Sequence, residues 1–282
     1  MKVLPFKIPK SSTDTLIYQE DVGRIFYDKL HQHQEIQISY IEKGEGTYII
    51  GDAIGSFKPH DFFIIGEKLP HVFKCDTKPC EQVKMISLFF SKDSFGKNFF
   101  NLPEFFEFQS LFEAFNRGIL VRYKTVEIEA LMQRAKSTSK IDRFIILLEI
   151  LKHLYKLPYN PLSSIILYNQ YSEDEGKRMD HIFQFVMNEF HRNITLKEVA
   201  NIAYMTPNAF CRYFKQRTNK TFVNFLTEIR IGNACKLLTK NEDLTILDIC
   251  FRSGFNNLSN FNRKFKQIKG VTPSNFRKTH HT

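Results

Sequence analysis

The feature that most constrains this chain of 282 residues is a unit that occurs twice near its C-terminus. Thr195 and Glu198 of "TLKEVA" return fifty residues later as Thr245 and Asp248 of "TILDIC". At an offset of fifty-one, Phe210, Arg212, Phe214, Lys215, Gln216, Thr221 and Phe225 return as Phe261, Arg263, Phe265, Lys266, Gln267, Thr272 and Phe276. Agreement at so many fixed positions marks two copies of one supersecondary unit, with one residue added in the turn of the second.

Each copy reads as helix, tight turn, helix. Thr195-x-x-Glu198 is a capping box and Thr245-x-x-Asp248 a near relative of one. Leu196, Val199 and Ala200, like Ile246, Ile249 and Cys250, give the first helix a small apolar face. The turns are "YMTP" and "SGF", where Gly254 suits a left-handed conformation. Thr206-Pro207 starts the second helix of one copy, and Asn257 is the expected cap in the other. Phe210 and Phe214, like Phe261 and Phe265, stand four apart and anchor that helix. The opposite face carries Asn208, Cys211, Arg212 and Lys215, or Ser259, Asn262, Arg263 and Lys266.

A lone basic helical face is usually only a solvated one. Here the charge distribution argues otherwise. From Lys177 onward there are eighteen Lys/Arg against seven Asp/Glu, whereas residues 1–176 hold twenty-two against twenty-three. All of the excess behind the net charge of +10 is therefore C-terminal. Two helix-turn-helix units with basic second helices imply double-stranded DNA as partner, with Arg and Asn at base edges in the major groove.

Residues 196–277 resemble the C-terminal DNA-binding domain of the AraC/XylS family of bacterial transcription regulators. The second copy carries Gly254-Phe255, Ser259, Phe261, Arg263, Phe265-Lys266, Gly270, Thr272-Pro273 and Phe276-Arg277; the first carries Val199-Ala200, Met205-Thr206, Arg212, Phe214-Lys215, Phe222 and Phe225. A joining helix "RIGNACKLL" follows, with Arg230, Ala234 and Leu237-Leu238. The resemblance implies two units reading successive major-groove faces. By position it places Asn208, Cys211, Arg212 and Lys215 on DNA in the first unit, and Leu258, Ser259, Asn260, Asn262, Arg263 and Lys266 in the second. Leu258 either touches a thymine methyl or packs.

The N-terminal part differs in kind. "EIQISYIEKGEGTYIIGDAIGSFKPHDFFIIG" alternates in short runs broken by Gly and Pro turns, which predicts strands in a sandwich or small barrel up to about residue 90. It is similar to the cupin-type sensor of many such regulators, through His31-x-His33, the glycines of "KGEGTY", "KPHD" and "LPH". His31, His33, Glu35 and Gln37 share parity, so a regular strand puts them on one face. Cupin enzymes hold a metal with two His, a carboxylate and a third His. His71 takes the place of that third His, and Gln37 stands where the carboxylate belongs. Three readings follow: a polar site for a small-molecule effector at His31, His33, Gln37 and His71; a metal on His31, His33 and His71; or histidines serving structure alone. The expectation is no resident cofactor and no catalysis. The alternative is a metal-dependent cupin enzyme fused to a DNA-binding module.

From about Ser94 to Leu157 the pattern becomes helical. Ile141, Phe144, Ile145, Leu148, Leu151, Leu154 and Tyr155 form an apolar stripe that suits either a two-fold interface or a cover for the barrel. On the first of these, Leu148 and Leu151 lie between subunits. The expected class is α+β: a cupin-like barrel with a helical dimerisation element over residues 1–157, a linker over 158–176, and an all-α reader over 177–282. "MKVLPFKIPKSSTD" has no apolar stretch of signal-peptide length, and "FIILLEILKHLYKL" carries too many charges to span a bilayer. Five cysteines, odd in number, argue against structural disulfides, although Cys75 and Cys80 are spaced to bridge or to bind metal. A cytoplasmic, nucleoid-associated homodimer is the expected setting.

Overall fold

The computed structural model describes residues 14–76, 82–123, 125–164, 173–240 and 243–280. The chain divides into two compact units, up to residue 176 and from residue 177.

Among the described residues of the first unit, eight strands form two antiparallel sheets. They are β1 (Ile17–Gly23), β2 (Ile36–Lys43), β3 (Gly46–Ile50), β4 (Ala53–Phe57), β5 (Phe62–Ile65), β6 (His71–Cys75), β7 (Val83–Phe90) and β8 (Ile119–Val121). One sheet runs β1-β7-β2-β5-β8 and the other β4-β3-β6. Among the described residues the two are not closed into one ring. Strand β2 shows how the layers are built. Ile36, Ile38 and Tyr40 face a core shared with the helices, while Ile41, with Phe63 and Ile65 of β5, faces the three-stranded sheet. Both faces of this strand are buried, so it lacks the polar-out alternation of a half-exposed sheet.

Helices α1 (Gln109–Phe115), α2 (Val126–Arg134) and α3 (Lys140–Lys156) cover the larger sheet. Two differences from expectation arise here. β8 interrupts the stretch expected to be helical and pairs with β5, Ile119 opposite Ile64. Its three residues are too few to register as alternation. The stripe on α3 is also displaced. Ile146, Leu147, Ile150, Leu151 and Leu154 are buried, whereas Ile141, Ile145 and Tyr155 are 64%, 46% and 38% exposed. Leu151 therefore belongs to the core of its own subunit, and Leu148 packs partly against that core.

Residues 158–164, expected as linker, are fastened to the sheets. Asp52, in the β3–β4 turn, accepts from the Ser163 hydroxyl at 2.6 Å and the Ser164 amide at 2.8 Å, and also from the Ser164 hydroxyl. Arg117 donates to the Ser163 carbonyl at 3.0 Å. Residues 165–172 of that linker, Cys80 and the first thirteen residues lie outside the described residues. Cys75 is buried, and its sulfur accepts from the Phe26 amide.

The second unit is helical: α4 (Glu173–Glu189), α5 (Leu196–Ile202), α6 (Pro207–Thr218), α7 (Phe222–Lys240), α8 (Ile246–Arg252), α9 (Leu258–Lys269) and α10 (Pro273–His280). Both capping boxes are formed, each threonine side chain accepting from the third helical amide and each acid reaching back. Among the described residues, no helix is long and apolar enough to cross a membrane.

Candidate nucleic-acid interface and sensor site

The two helix-turn-helix units close their turns identically. The Met205 amide donates to the Ala200 carbonyl at 2.8 Å, and fifty residues on the Phe255 amide donates to the Cys250 carbonyl at 3.1 Å. Tyr204 and Gly254 occupy the same left-handed corner, at φ 56° and 83°. The caps, Thr206 and Asn257, are fifty-one apart. The added residue is thereby located at Asn256, between turn and cap. Gly254 has a further reason to be glycine: a Cβ there would come within 2.3 Å of the Phe190 carbonyl.

Behind each second helix lies an aromatic stack. Phe214 meets Phe225 at 5.2 Å between centroids, and Phe265 meets Phe276 at 5.5 Å, with Phe210, Phe214, Phe261 and Phe265 fully buried. That burial fixes the rotation of α6 and α9, so the opposite faces are turned outward. Asn208, Cys211, Arg212 and Lys215 are all exposed, as are Leu258, Ser259, Asn260, Asn262, Arg263 and Lys266. Leu258, at the first position of α9, keeps 36% of its surface and is not core. The Asn260 amide oxygen accepts from Arg263 at 2.8 Å, which orders that guanidinium. Leu196, expected on the inner face of α5, is 38% exposed instead.

Arg230 on α7 has a role that spacing alone does not reveal. Its guanidinium donates to the carbonyls of Phe190 at 2.8 Å and Arg192 at 2.7 Å, just past α4, and lies over the Phe255 ring. A cation at the carbonyl end of a helix is favourably placed. Together with the stacked pair Phe183–Phe225, it makes α4 part of the reader.

In the first unit, His31, His33, His71 and Gln37 do converge. Ring nitrogens of the three histidines lie within 4.8 Å of one another, and all three rings are buried. Glu35 does not line that cavity, because the chain bends before β2 begins at Ile36 and the parity argument fails there. Each Nδ1 lies 2.8 Å from a backbone carbonyl: His31 to Lys29, His33 to Glu35, His71 to Leu69. A carbonyl only accepts, so Nδ1 carries the proton and the neutral ring presents a lone pair on Nε2. Burial keeps the rings neutral. It pushes His31 down to about 3 and lowers His33 and His71 below the ordinary imidazole range.

Gln37 Oε1 stands 3.0 Å from His33 Nε2 and 3.1 Å from His71 Nε2. An oxygen facing two lone pairs is unfavourable. Turning the amide over resolves it, with one N–H given to each ring and Oε1 accepting from the Ser39 hydroxyl, which lies 2.7 Å from the amide end. Ser39 is in turn 2.8 Å from Ser87, completing a buried polar line. The cavity here is small, about 30 Å³, with Asp21, Tyr27 and Phe89 among its walls.

The sequence comparisons bear on both units. A helix-turn-helix domain family matches residues 199–279. An uncharacterized HTH-type transcriptional regulator of Bacillus subtilis, YdeC, is 25% identical over 280 residues, spanning 96% of this chain and 92% of its own. A second B. subtilis regulator, YobQ, is 30% identical over 34% of this chain and 39% of its own length. Among solved structures, ToxT from Vibrio cholerae, bound to a naphthalenyl butenoic acid, covers 95% of this chain at 14% identity and a TM-score of 0.38. The C-terminal domain of AraT from Geobacillus stearothermophilus covers 36% of this chain and 84% of its own, at 31% identity and a TM-score of 0.35.

The second unit is thus a double helix-turn-helix DNA-binding domain. The chain is a DNA-binding transcription regulator whose residues 199–279 carry the matched helix-turn-helix domain.

Proposed function

We propose that this regulator is sequence-specific and effector-responsive, that each subunit reads two successive major-groove sites, and that it acts as a cytoplasmic homodimer. The observation that carries the reading is the pair of outward basic faces on α6 and α9, each held in rotation by buried phenylalanines. Residues 1–157 serve as a cupin-like sensor with its dimerisation helices, and residues 177–282 as the reader. The ten exposed residues named above contact DNA, and His31, His33, Gln37 and His71 receive the effector. The unit is a sensor rather than an enzyme, since Gln37 supplies an amide where a cupin enzyme needs a carboxylate. The dimer face is the outer side of α3, where Ile141, Ile145 and Tyr155 leave apolar surface exposed.

Binding of the full chain to a site selected from random duplex DNA tests the reader. The logarithm of affinity is expected to fall with the logarithm of salt at a slope steeper than about −3, since each neutralised phosphate contributes about −0.9. A nearly flat dependence would overturn the assignment. On the same site, Arg212→Ala and Arg263→Ala should each cost about 1–3 kcal/mol of binding while leaving the melting temperature close to that of the parent. Arginine variants that bind as well as the parent would move base reading to other side chains.

A further inference from the structure

We infer that Asn260 is a specificity-determining residue that acts through its neighbour: it holds the Arg263 guanidinium in reading position, so the second helix-turn-helix unit selects a guanine more stringently than the first unit does. The inference rests on the DNA-reading assignment above and deepens it. Three observations carry it. The first is a relay of hydrogen bonds along one ridge of α9, each step three residues long. The Asn257 side chain accepts from the Asn260 amide at 3.0 Å, and the Asn260 side-chain oxygen accepts from Arg263 Nη2 at 2.8 Å. The helix cap thus fixes the first turn, and the first turn fixes the arginine. The second is placement. Phe261 and Phe265 are fully buried, and Arg263, midway between them in sequence, is turned away from that core with Asn260 exposed beside it. The third is the comparison that the repeat allows. At the offset of fifty-one Arg263 corresponds to Arg212, but Asn260 corresponds to Ala209. Alanine offers no side-chain acceptor, and among the described residues the Arg212 guanidinium makes no hydrogen bond.

The chemistry of the pair decides what each side chain is left to do. A guanidinium carries five N–H donors in a rigid fork, and Asn260 takes one, which leaves a parallel pair for guanine O6 and N7. Asparagine reads adenine with its oxygen and nitrogen together. With the oxygen given to Arg263, Asn260 keeps only its N–H groups, so it is a positioning residue rather than an adenine reader. A surface arginine loses rotamer freedom when it docks on a base. Arg263 has given up part of that freedom before DNA arrives, whereas Arg212 gives it up on binding. A held guanidinium also does not swing to a neighbouring base or phosphate when its guanine is replaced. Holding it therefore raises discrimination as well as affinity.

The test uses the full chain and the site it selects from random duplex DNA, with each base pair of that site replaced in turn. Arg263→Ala identifies the guanine read by the second unit, as the position whose preference it flattens. Asn260→Ala is expected to reduce the preference at that same base pair about 3–10-fold, the cost of ordering one long side chain. Preferences elsewhere, the salt slope and the melting temperature should stay close to those of the parent. On an Arg263→Ala background, Asn260→Ala should add nothing, because its effect passes through the arginine. Ala209→Asn should sharpen the preference at the base pair that Arg212→Ala flattens, by a similar factor. An unchanged preference in Asn260→Ala would overturn the inference. So would an effect at a different base pair or one that persists without Arg263, since either makes Asn260 a base reader in its own right. Ala209→Asn with an unaltered profile would refute the contrast between the units. If Arg263→Ala flattens no position, the base-reading assignment fails and takes the inference with it. If it does and Asn260→Ala does not, that assignment stands and only the positioning role is lost.

Discussion

Phe265→Ala is expected to destabilise the second helix-turn-helix unit by about 3–5 kcal/mol, the cost of emptying a fully buried aromatic site. Phe265 meets Phe261 at 5.7 Å and Phe276 at 5.5 Å between centroids, so its loss removes the centre of a three-ring stack. The consequence is more than a cavity. α9 owes its rotation to Phe261 and Phe265, and without the second anchor its Arg263 face is no longer held outward. Thermal denaturation followed by far-ultraviolet circular dichroism should show a lower midpoint and reduced helix content before the main transition. Phe214→Ala, in the equivalent place of the first unit, should behave alike. Arg263→Ala serves as the contrast, two residues away on the opposite face. If the arginine variant lost as much stability as the phenylalanine one, the division into anchoring and reading faces would be wrong.

Leu151→Glu should be nearly as damaging, for a different reason. The side chain is fully buried in the core that α3 shares with the larger sheet, alongside Leu147 and Leu154 of its own helix. Placing an unpaired charge in such a site, or protonating it to avoid that, costs several kcal/mol. This variant is therefore expected to unfold the first unit. The outer side of the same helix gives the opposite expectation. An Ile145→Glu/Tyr155→Glu double variant changes side chains that are 46% and 38% exposed, so the fold should survive. Sedimentation should then find a monomer that melts close to the parent and binds a two-site DNA weakly. A double variant that stays dimeric would place the subunit interface elsewhere, and a folded Leu151→Glu protein would show that this part of the core tolerates charge.

The reader is legible in the sequence because its constraints are local and repeated. Caps, turn residues and phenylalanines four apart each act within one or two helical turns, and the second copy checks the first. The first unit is less legible because its decisive contacts are distant in sequence. α3 is apolar on two sides, so periodicity cannot say which side meets the sheet, and Leu151 suits an interface as well as a core until the sheet is in place. β8 is too short to show a period. The prolines at 158 and 161 suggest a linker, but Asp52, more than a hundred residues earlier, holds Ser163 and Ser164 in place. The three histidines and Gln37 are recognisable as a group. Glu35 is not separable from them by spacing, since parity holds only inside a regular strand and β2 starts one residue later.

The position of Asn256 matters to anyone who would exchange the two recognition helices. Cut at their caps, Thr206 and Asn257, the segments are interchangeable modules of equal length, each ending in a left-handed residue, Asn219 or Gly270. Cut instead by the fifty-residue offset that aligns the preceding helices, the graft would be out of phase by one residue. One residue is about 100° of helical rotation. The phenylalanines would swing away from the core and the arginines away from the outward face, so a chimaera differing by a single residue at its seam would lose both its core packing and its exposed basic face.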